Sequence, residues 1–249
     1  MKRFLHSADY VFYQSEFAKR AADCFLGERK GPSEVLYNAV DTRRFIPPAT
    51  ALSGFRILLA GSHNQFYRVE TAINTLAIVR RTIPEARLVL AGRYQWTDQE
   101  QLALSQVREV ALKAGVDRAV EAVGPYTQDE VVDLLGSTHV LLHTQYNDCC
   151  PRLVLEAMSC GLPVVYSASG GTPELVGPDA GIGIPAPEDW EVAHPPQPEE
   201  LADALCQVAR RRAELSLLAR RRAVERFDVH IWFDRHLKVF QQAAAKTGR

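Results

Sequence analysis

Residues 148–176 read DCCPRLVLEAMSCGLPVVYSASGGTPELV. Apolar residues in the first half recur at helical spacing, which predicts a helix that begins at Pro151, because proline is tolerated at the first helical position. Gly161 fits the end of this helix. Residues 163–166 then predict a buried strand. The succession of helix and strand indicates a fold in which the two alternate.

Short apolar runs extend this alternation toward the N-terminus. The other predicted strands are residues 56–60, 87–91, 119–123 and 139–143. The helical patterns between them are residues 70–82, 100–114 and 130–135. Mainly apolar strands are typical of a sheet buried on both faces, so we predict an α/β fold with a doubly wound parallel sheet, Rossmann-like, followed by C-terminal helices. Such sheets bind ligands beyond the carboxyl ends of their strands.

The two ends of the chain show other patterns. Residues 8–15 predict one strand and residues 16–26 a short helix, and residues 35–45 follow as a connector. A proline-rich loop, residues 186–198, precedes the C-terminal part. Three helical patterns make up that part: residues 198–211, 213–226 and 230–245.

Composition limits the kinds of protein this chain can be. Apolar residues make up 47% of the 249 residues, enough for a sizeable core. The formal net charge of -1 gives no general attraction to nucleic acid or acidic membranes. The five cysteines show no metal-ligand spacing, so we interpret them as reduced thiols. The reduced thiols lead us to expect a cytoplasmic protein, and we leave peripheral membrane association open. No stretch reaches the ~20 apolar residues of a membrane span.

The segment from Asp148 to Glu156 is the first candidate site. A helix that starts after Asp148 directs its free N–H groups toward the strand ends, which favours an anion there. Arg152 lies four residues before Glu156, on the same helical face. Two carboxylates would then flank a phosphate-sized space. Spacing alone favours the alternative, in which Arg152 and Glu156 form an ordinary ion pair and Asp148 caps a loop.

The segment from Ser167 to Glu174 is the second candidate. Its two adjacent glycines allow a close approach of backbone to a ligand. Thr172 is predicted to cap a helix that begins at Pro173. Taken alone, the pattern favours the alternative of a tight turn without a ligand.

Residues 148–176 resemble the signature of retaining GT-B glycosyltransferases of family 4, the glycosyl transferases group 1. That signature has an acidic residue, seven residues, Glu, then Ala-Met-x-Cys-Gly-x-Pro-Val-Val and a Gly-Gly…Glu loop. The resemblance extends to VLYNAVDTRRF (35–45), similar to the interdomain linker, and to ILLAG (57–61), similar to the first donor-domain strand. AVGPYTQDEVVDLLGSTHVLLHT (122–144) resembles the central section.

The resemblance implies a division of the chain into four parts. These are a remnant of the N-terminal acceptor domain (1–34), an interdomain linker (35–50), the nucleotide-sugar donor-binding domain (51–228) and a C-terminal crossing helix (229–249). Residues 8–15 would be the last strand of the first domain, left without a sheet. The chain would then be a fragment, a truncated product or one half of a split enzyme.

The resemblance also implies roles for particular residues. Asp148 would contact hydroxyls of the transferred sugar, although Glu is the usual residue there, and Glu156 would bind the nucleotide ribose. The remaining implied binding residues are Gly61 after the first strand, Gly124 and Tyr126 near the base, and the backbone at Cys150, Pro151, Arg152 and Leu153.

The loop after the first predicted strand departs from the family pattern. Ser62 stands where the family has Arg, and Arg68 is one place from the expected Lys. We expect Arg68 to supply the positive charge that a leaving diphosphate requires; the alternative is a solvated arginine, and Arg93 is a weaker candidate. His63 is predicted on the loop surface. His143 ends a strand at the cleft and either touches the ligand or fills the strand end.

The expected function follows from the resemblance. It is transfer of a hexosyl group from a UDP- or GDP-linked sugar to a glycan, lipid or small-molecule acceptor, with retention and without a cofactor or a bound metal. One alternative is a non-catalytic donor-binding chain that needs a partner N-terminal domain. Another is a nucleotide-sugar epimerase on the same fold.

Overall fold

A computed structural model of the chain describes residues 1–50 and 52–247. The helices and strands are α1 Lys2–Ser7, β1 Val11–Tyr13, α2 Glu16–Leu26, β2 Ser33–Val35, β3 Arg56–Ala60, α3 Phe66–Val79, β4 Arg87–Ala91, α4 Glu100–Lys113, β5 Val120–Gly124, α5 Glu130–Gly136, β6 Val140–His143, α6 Arg152–Ser159, β7 Val164–Ala168, α7 Thr172–Val176, β8 Gly181–Pro185, α8 Pro198–Arg210, α9 Arg212–Phe227 and α10 Val229–Thr247. The predicted domain boundary at residue 51 and the last two residues of the predicted crossing helix, 248–249, lie outside the described residues.

The main sheet is parallel and has six strands in the order β5-β4-β3-β6-β7-β8. The chain builds outward from β3 to β5 on one side and then from β6 to β8 on the other. The order therefore reverses between β3 and β6, and this is where doubly wound sheets form their ligand crevice. The predicted fold class is confirmed.

Both faces of the sheet are buried, as the apolar strand runs predicted. Ile57 and Leu59 of β3 belong to the core on the face covered by α3 and α8. Leu58 and Ala60, which alternate with them, belong to the core on the other face, with α6 and α9. All four side chains are almost fully removed from water, which favours folding by roughly 25 cal/mol per Å² of apolar surface.

Strand β8 is the one main-sheet strand that the sequence patterns missed. Its sequence, GIGIP, is rich in glycine, which weakens the apolar signal of a strand. A side chain at Gly181 would place its Cβ 2.0 Å from the carbonyl oxygen of Val164 in β7. Close packing against β7 therefore accounts for this glycine.

Two predicted helix starts are wrong by one residue. Pro151 precedes α6 as its N-cap, with an extended ψ of 115°, instead of occupying the first helical position. This extended ψ keeps Pro151 outside the helix, and Asn38 Nδ2 donates to the carbonyl just before it, that of Cys150, at 2.7 Å. Helix α7 begins at Thr172 with Gly171 as its cap, and Thr172 Oγ1 bonds to no other described residue, so the predicted Thr172 cap is wrong.

The N-terminal strand has a partner. Strand β1 pairs in parallel with β2, from Val11 opposite Ser33 to Tyr13 opposite Val35. The prediction of a strand without a sheet is therefore wrong, because the three-residue β2 was too short and too polar to recognise beside the predicted connector. Helix α10 packs here too: Arg235 Nε lies 2.6 Å from Glu34 Oε1.

Two further predictions concerned the cysteines and membrane-spanning segments. All five cysteines have free thiols, in agreement with their interpretation as reduced. In the part of the chain that the structure describes, no helix has the length and apolar character needed to cross a membrane.

Candidate functional site

The candidate site lies between the carboxyl ends of β3 and β6. Strand β3 leads into Gly61 and the loop before α3, which carries Arg68 in its first turn. Strand β6 ends at His143 and leads through Asp148 to α6. Tyr126, from the loop after β5, lies close to the Gly61 backbone and to Arg68. The fold thus gathers residues that are far apart in sequence into one crevice.

Arg68 is a buried cation at the base of this crevice. Its side chain is 3% exposed, and Nη1 donates to the carbonyl of Ser62 at 2.8 Å. Its Nε bonds to no other described residue. Burial lowers the pKa of Arg68, while Tyr67, Asp148 and Tyr126 act to raise it. The alternative of a solvated arginine is wrong; Arg93, the weaker candidate, is exposed.

Asp148 carries the negative charge nearest to Arg68. Burial acts to raise its pKa, but His143, the backbone N–H of Cys150 and the Arg68 guanidinium outweigh burial and hold the pKa below its usual range. The carboxylate is therefore ionised at neutral pH. An ionised carboxylate accepts strong hydrogen bonds from hydroxyl groups.

The two adjacent glycines, Gly170 and Gly171, pack closely against the backbone of the Asp148 loop. Gly170 has a φ of 67°, and a Cβ there would lie 2.4 Å from the carbonyl oxygen of Asp148. A Cβ on Gly171 would lie 1.9 Å from the carbonyl oxygen of Cys149. The Gly171 N–H donates to the Asp148 carbonyl at 2.8 Å. Backbone packing accounts for both glycines, and their contact with a ligand stays a prediction.

The first turn of α6 faces the same crevice. Helix termini leave N–H groups without intrahelical partners, and these groups together with the helix dipole favour an anion. Of the predicted backbone positions, Arg152 and Leu153 have such N–H groups. Pro151 has no N–H, and the Cys150 N–H donates to the Asp148 carboxylate. Arg152 is exposed on the outer side of the turn.

Glu156 lies at the inner end of a small pocket of about 250 Å³. The pocket is lined by Tyr126, Thr127, Gln128, Val131, Arg152, Leu153 and Glu156. Gln128 Nε2 donates to Glu156 Oε1 at 3.4 Å, and Arg152 Nη2 lies 3.7 Å from the same oxygen. Burial raises the pKa of Glu156, and Arg152 and Gln128 act against this.

Gly124 and Gly61 belong to the backbone framework of the crevice. The carbonyl of Gly124 accepts the Gly92 N–H at 2.7 Å, which ties the end of β5 to that of β4. The Gly61 N–H donates to the carbonyl of Ala91 at 3.2 Å, which ties β3 to β4 in the same way. Both predicted glycines therefore lie at the crevice edge.

His63 is fully buried, so its predicted place on the loop surface is wrong. Its Nε2 lies 3.0 Å from the carbonyl of Ala91, and its ring stacks on Tyr94 at 5.7 Å between centroids. The loop after β3 folds over the edge of β4, where His63 forms a parallel bridge with Tyr94. Burial lowers the pKa of His63 to about 4, and the ring is neutral at physiological pH.

Sequence reasoning missed several residues that hold the site. Ser169 Oγ accepts the Asn147 N–H at 3.0 Å, and Asn38 holds Cys150 from the linker side. Gln128 donates to Glu156, and its place two residues after Tyr126 was its only signal in the sequence. No sequence spacing indicated the other contacts, because each joins segments more than twenty residues apart.

A larger cavity of about 470 Å³ lies at the opposite end of the strands, near the amino end of β6. Its one histidine, His139, has both ring nitrogens engaged, with the Arg56 N–H at 2.8 Å and the Leu52 carbonyl at 3.3 Å. We therefore place the candidate site by the converging polar groups at the carboxyl ends and not by cavity size.

Known proteins with similar sequences identify the family of this chain. Residues 54–211 match the family described as glycosyl transferases group 1. A phosphatidylinositol N-acetylglucosaminyltransferase subunit of Schizosaccharomyces pombe is 27% identical over 176 residues, which are 70% of this chain and 35% of the relative. The chain thus spans about a third of the length of this curated relative.

Solved structures show the same fold at low identity. Sucrose-phosphate synthase from Thermosynechococcus elongatus has a TM-score of 0.81 at 20% identity, covering 98% of this chain and 61% of that chain. HepE of Anabaena, solved in complex with UDP-glucose, has a TM-score of 0.74 at 20% identity, covering 96% of this chain and 65% of that chain. The fold is that of the C-terminal half of a GT-B protein. Since the family match covers more than half of its residues, this chain belongs to the glycosyl transferases group 1.

Proposed function

We propose that this chain binds a nucleotide diphosphate sugar, linked to UDP or GDP, in the crevice between β3 and β6. It would do so as the donor-binding part of an enzyme that transfers a hexosyl group with retention. The observation that carries this proposal is the convergence of Arg68, Asp148 and Glu156, three charged side chains, at the reversal of strand order. The similarity to HepE, solved with UDP-glucose, supports a nucleotide sugar as the ligand.

The diphosphate would lie between Arg68 and the first turn of α6. Arg68 is held in place by Ser62 and retains an unpartnered Nε among the described residues. A fixed cation in a site that excludes water stabilises the charge that develops on the leaving diphosphate. The N-terminus of α6 adds N–H donors from the other side. Because Arg68 and the N-terminus of α6 would balance the charge of the diphosphate, we propose no cofactor.

The transferred sugar would contact Asp148 and the nucleoside would contact Glu156. Asp148 is ionised and lies next to the proposed diphosphate position, so its carboxylate accepts from sugar hydroxyls. Glu156 accepts from the ribose hydroxyls at the inner end of its pocket. Tyr126 and the backbone at Gly124 line the side of that pocket where a base would lie.

Catalysis would require a second domain as a partner. The chain covers about a third of its curated relative, whose name describes it as a subunit. The outer face of α10 leaves Phe233, Leu237 and Phe240 exposed to solvent. These observations support a donor-binding chain completed by an N-terminal domain that holds a glycan, lipid or small-molecule acceptor. Such an assembly would work in the cytoplasm, free or at a membrane surface.

Isothermal titration calorimetry with UDP-glucose, UDP-N-acetylglucosamine and GDP-mannose tests the proposal. We expect at least one of them to bind at submillimolar concentration, and Glu156→Ala to weaken that binding. The matched control is Glu214→Ala, which removes an exposed carboxylate paired with Arg211 at 2.9 Å. Absence of binding at millimolar concentration, or equal binding by Glu156→Ala and wild type, refutes the proposal. Product analysis without an acceptor separates transfer from epimerisation.

A further inference from the structure

His143 is a buried side chain that the proposed function has not used. It is the last residue of β6, and its side chain is 6% exposed. Its Nε2 lies 3.5 Å from Oδ2 of Asp148. Neither ring nitrogen makes a hydrogen bond to another residue that the structure describes. Native proteins rarely bury such a group without a hydrogen bond, and the one carboxylate beside this ring belongs to the candidate site.

The backbone of Asp148 is fixed, whereas its side chain depends on few contacts. The Gly171 N–H donates to the Asp148 carbonyl at 2.8 Å, and Asn38 Nδ2 donates to the carbonyl of Cys150, two residues further along the chain. Around the carboxylate, the polar groups are the His143 ring, the Cys150 N–H and the Arg68 guanidinium. His143 therefore lies where it can select one rotamer of the carboxylate.

A neutral imidazole suits this task. Burial lowers the pKa of His143, Asp148 acts to raise it and Arg68 acts to lower it. Burial prevails, so the ring is neutral at physiological pH. A neutral ring carries one N–H donor and leaves the charge on the carboxylate intact. A lysine or arginine in its place would form an ion pair and weaken the ability of Asp148 to attract hydroxyl groups.

We propose that His143 is a positioning residue for donor binding, whose Nε2–H holds Oδ2 of Asp148 so that Oδ1 accepts from a hydroxyl of the transferred sugar. This inference rests on the proposed function and adds a residue to it. At 3.5 Å the two atoms lie just beyond hydrogen-bond range. A small rotation of the Asp148 side chain closes the gap, and such bonds commonly shorten when a substrate is bound.

A double-mutant cycle between His143 and Asp148 tests the inference by calorimetry. The variants are His143→Phe, His143→Gln, Asp148→Asn and the double variant His143→Phe/Asp148→Asn, titrated with UDP-glucose and with UDP. We expect His143→Phe to weaken UDP-glucose binding about 10-fold, the size of one hydrogen bond to a charged group. UDP lacks the sugar, so its affinity stays within about twofold. His143→Gln keeps an N–H donor and retains most of the affinity.

The coupling between the two residues separates positioning from a purely structural role. Once Asp148→Asn has removed the carboxylate, His143→Phe has no further effect on UDP-glucose binding if the inference is right. An equal loss in both backgrounds, or an equal loss for UDP and UDP-glucose, overturns the inference alone. Failure of the wild type to bind any of the sugar nucleotides tested above overturns the proposed function and this inference with it.

An independent measurement needs no substitution at His143. The ring ¹⁵N chemical shifts of the wild-type chain distinguish the two neutral tautomers. The inference predicts a proton on Nε2 of His143 at neutral pH, with Asp148→Asn shifting that resonance. A proton on Nδ1, or a resonance that does not respond to Asp148→Asn, contradicts it even if the Phe variant fails to fold.

Discussion

The carboxylate of Glu174 accepts the backbone N–H of Phe17 at 2.9 Å, across 157 positions of the chain. Its other oxygen accepts the N–H of Glu16 at 2.8 Å, and Ser15 Oγ accepts the N–H of Ala18. Together these bonds satisfy the first turn of α2. Glu174 belongs to α7, directly after the loop that supports Asp148, so the start of α2 is attached to the part of the chain that forms the main sheet, next to the candidate site.

Glu174→Ala should loosen α2 and lower the stability of the chain. Losing the cap leaves two N–H groups without a protein partner, which costs about 1–2 kcal/mol. Denaturant unfolding measures the loss, and limited proteolysis after Leu26 should accelerate. Glu188→Ala is the control, because its ion pair with Arg20 is exposed and contributes at most about 1 kcal/mol. Equal effects of the two variants would contradict the capping role.

Gly171→Ala should disturb the Asp148 loop. The new methyl group would meet the Cys149 carbonyl at 1.9 Å, so the loop must move, and we expect weaker sugar-nucleotide binding together with a lower Tm. Gly136→Ala is the matched control: it adds the same methyl at the end of α5, where no atom lies within 4 Å. It should be neutral or stabilising by up to about 1 kcal/mol. Unchanged binding by Gly171→Ala would show that the loop adapts without cost.

Arg220→Met should destabilise the junction at which residues 42–45 pack against α6 and α9. The Arg220 guanidinium donates to the carbonyls of Thr42, Phe45 and Ser159 at 2.9, 2.7 and 2.8 Å. Removing it leaves these acceptors without their charged donor, at a cost of about 3 kcal/mol. Arg221→Met, at the adjacent exposed position, should change the free energy of unfolding by less than about 0.5 kcal/mol. Chemical denaturation compares the two, and similar values would refute the role.

Five strands of the main sheet could be anticipated because they depend on local apolar runs, and its parallel, doubly wound form because it follows a general rule for alternating strands and helices. Ile57 and Leu58 identify β3 from its own residues alone. Helix α6 begins one residue after Pro151, and Asn38, over a hundred residues away, holds the chain just before it. Tertiary contacts of this kind leave no local pattern.

The residues of the candidate site also fall into those that a local motif predicts and those that only the fold brings together. Asp148 and Glu156 could be named from a motif, since their spacing belongs to a single helix and its entry. The buried state of His63 and the contact of Gly170 with Asn147 and Asp148 could not, because both arise where separate loops meet at the strand ends. The motif located the site, and the fold determined which residues support it.

Acidification should destabilise the chain in part through His63. Its pKa falls from 6.5 in the unfolded chain to about 4 in the fold, so the unfolded state binds the proton first. The stabilisation is complete above pH 6.5 and is lost as the pH falls through about 4, amounting to about 3 kcal/mol. His139 and His143 contribute in the same direction, because burial lowers both pKa values.

The free energy of unfolding, measured from about pH 4.5 to about pH 7.5, tests this prediction. His63→Gln should show a shallower decrease toward low pH than the wild type. As a control, His230→Gln changes an exposed histidine and should leave the slope unaltered. Parallel curves for His63→Gln and wild type would mean that His63 titrates normally in the folded state.

The most direct test of donor binding in the crevice is a crystal structure of the chain with a bound sugar nucleotide. We expect the diphosphate between the Arg68 guanidinium and the first turn of α6, with Glu156 on the ribose and Asp148 on the sugar. Density for the nucleotide elsewhere, such as in the cavity at the amino end of β6, would contradict this placement. So would a nucleotide in the crevice whose diphosphate touches neither Arg68 nor α6.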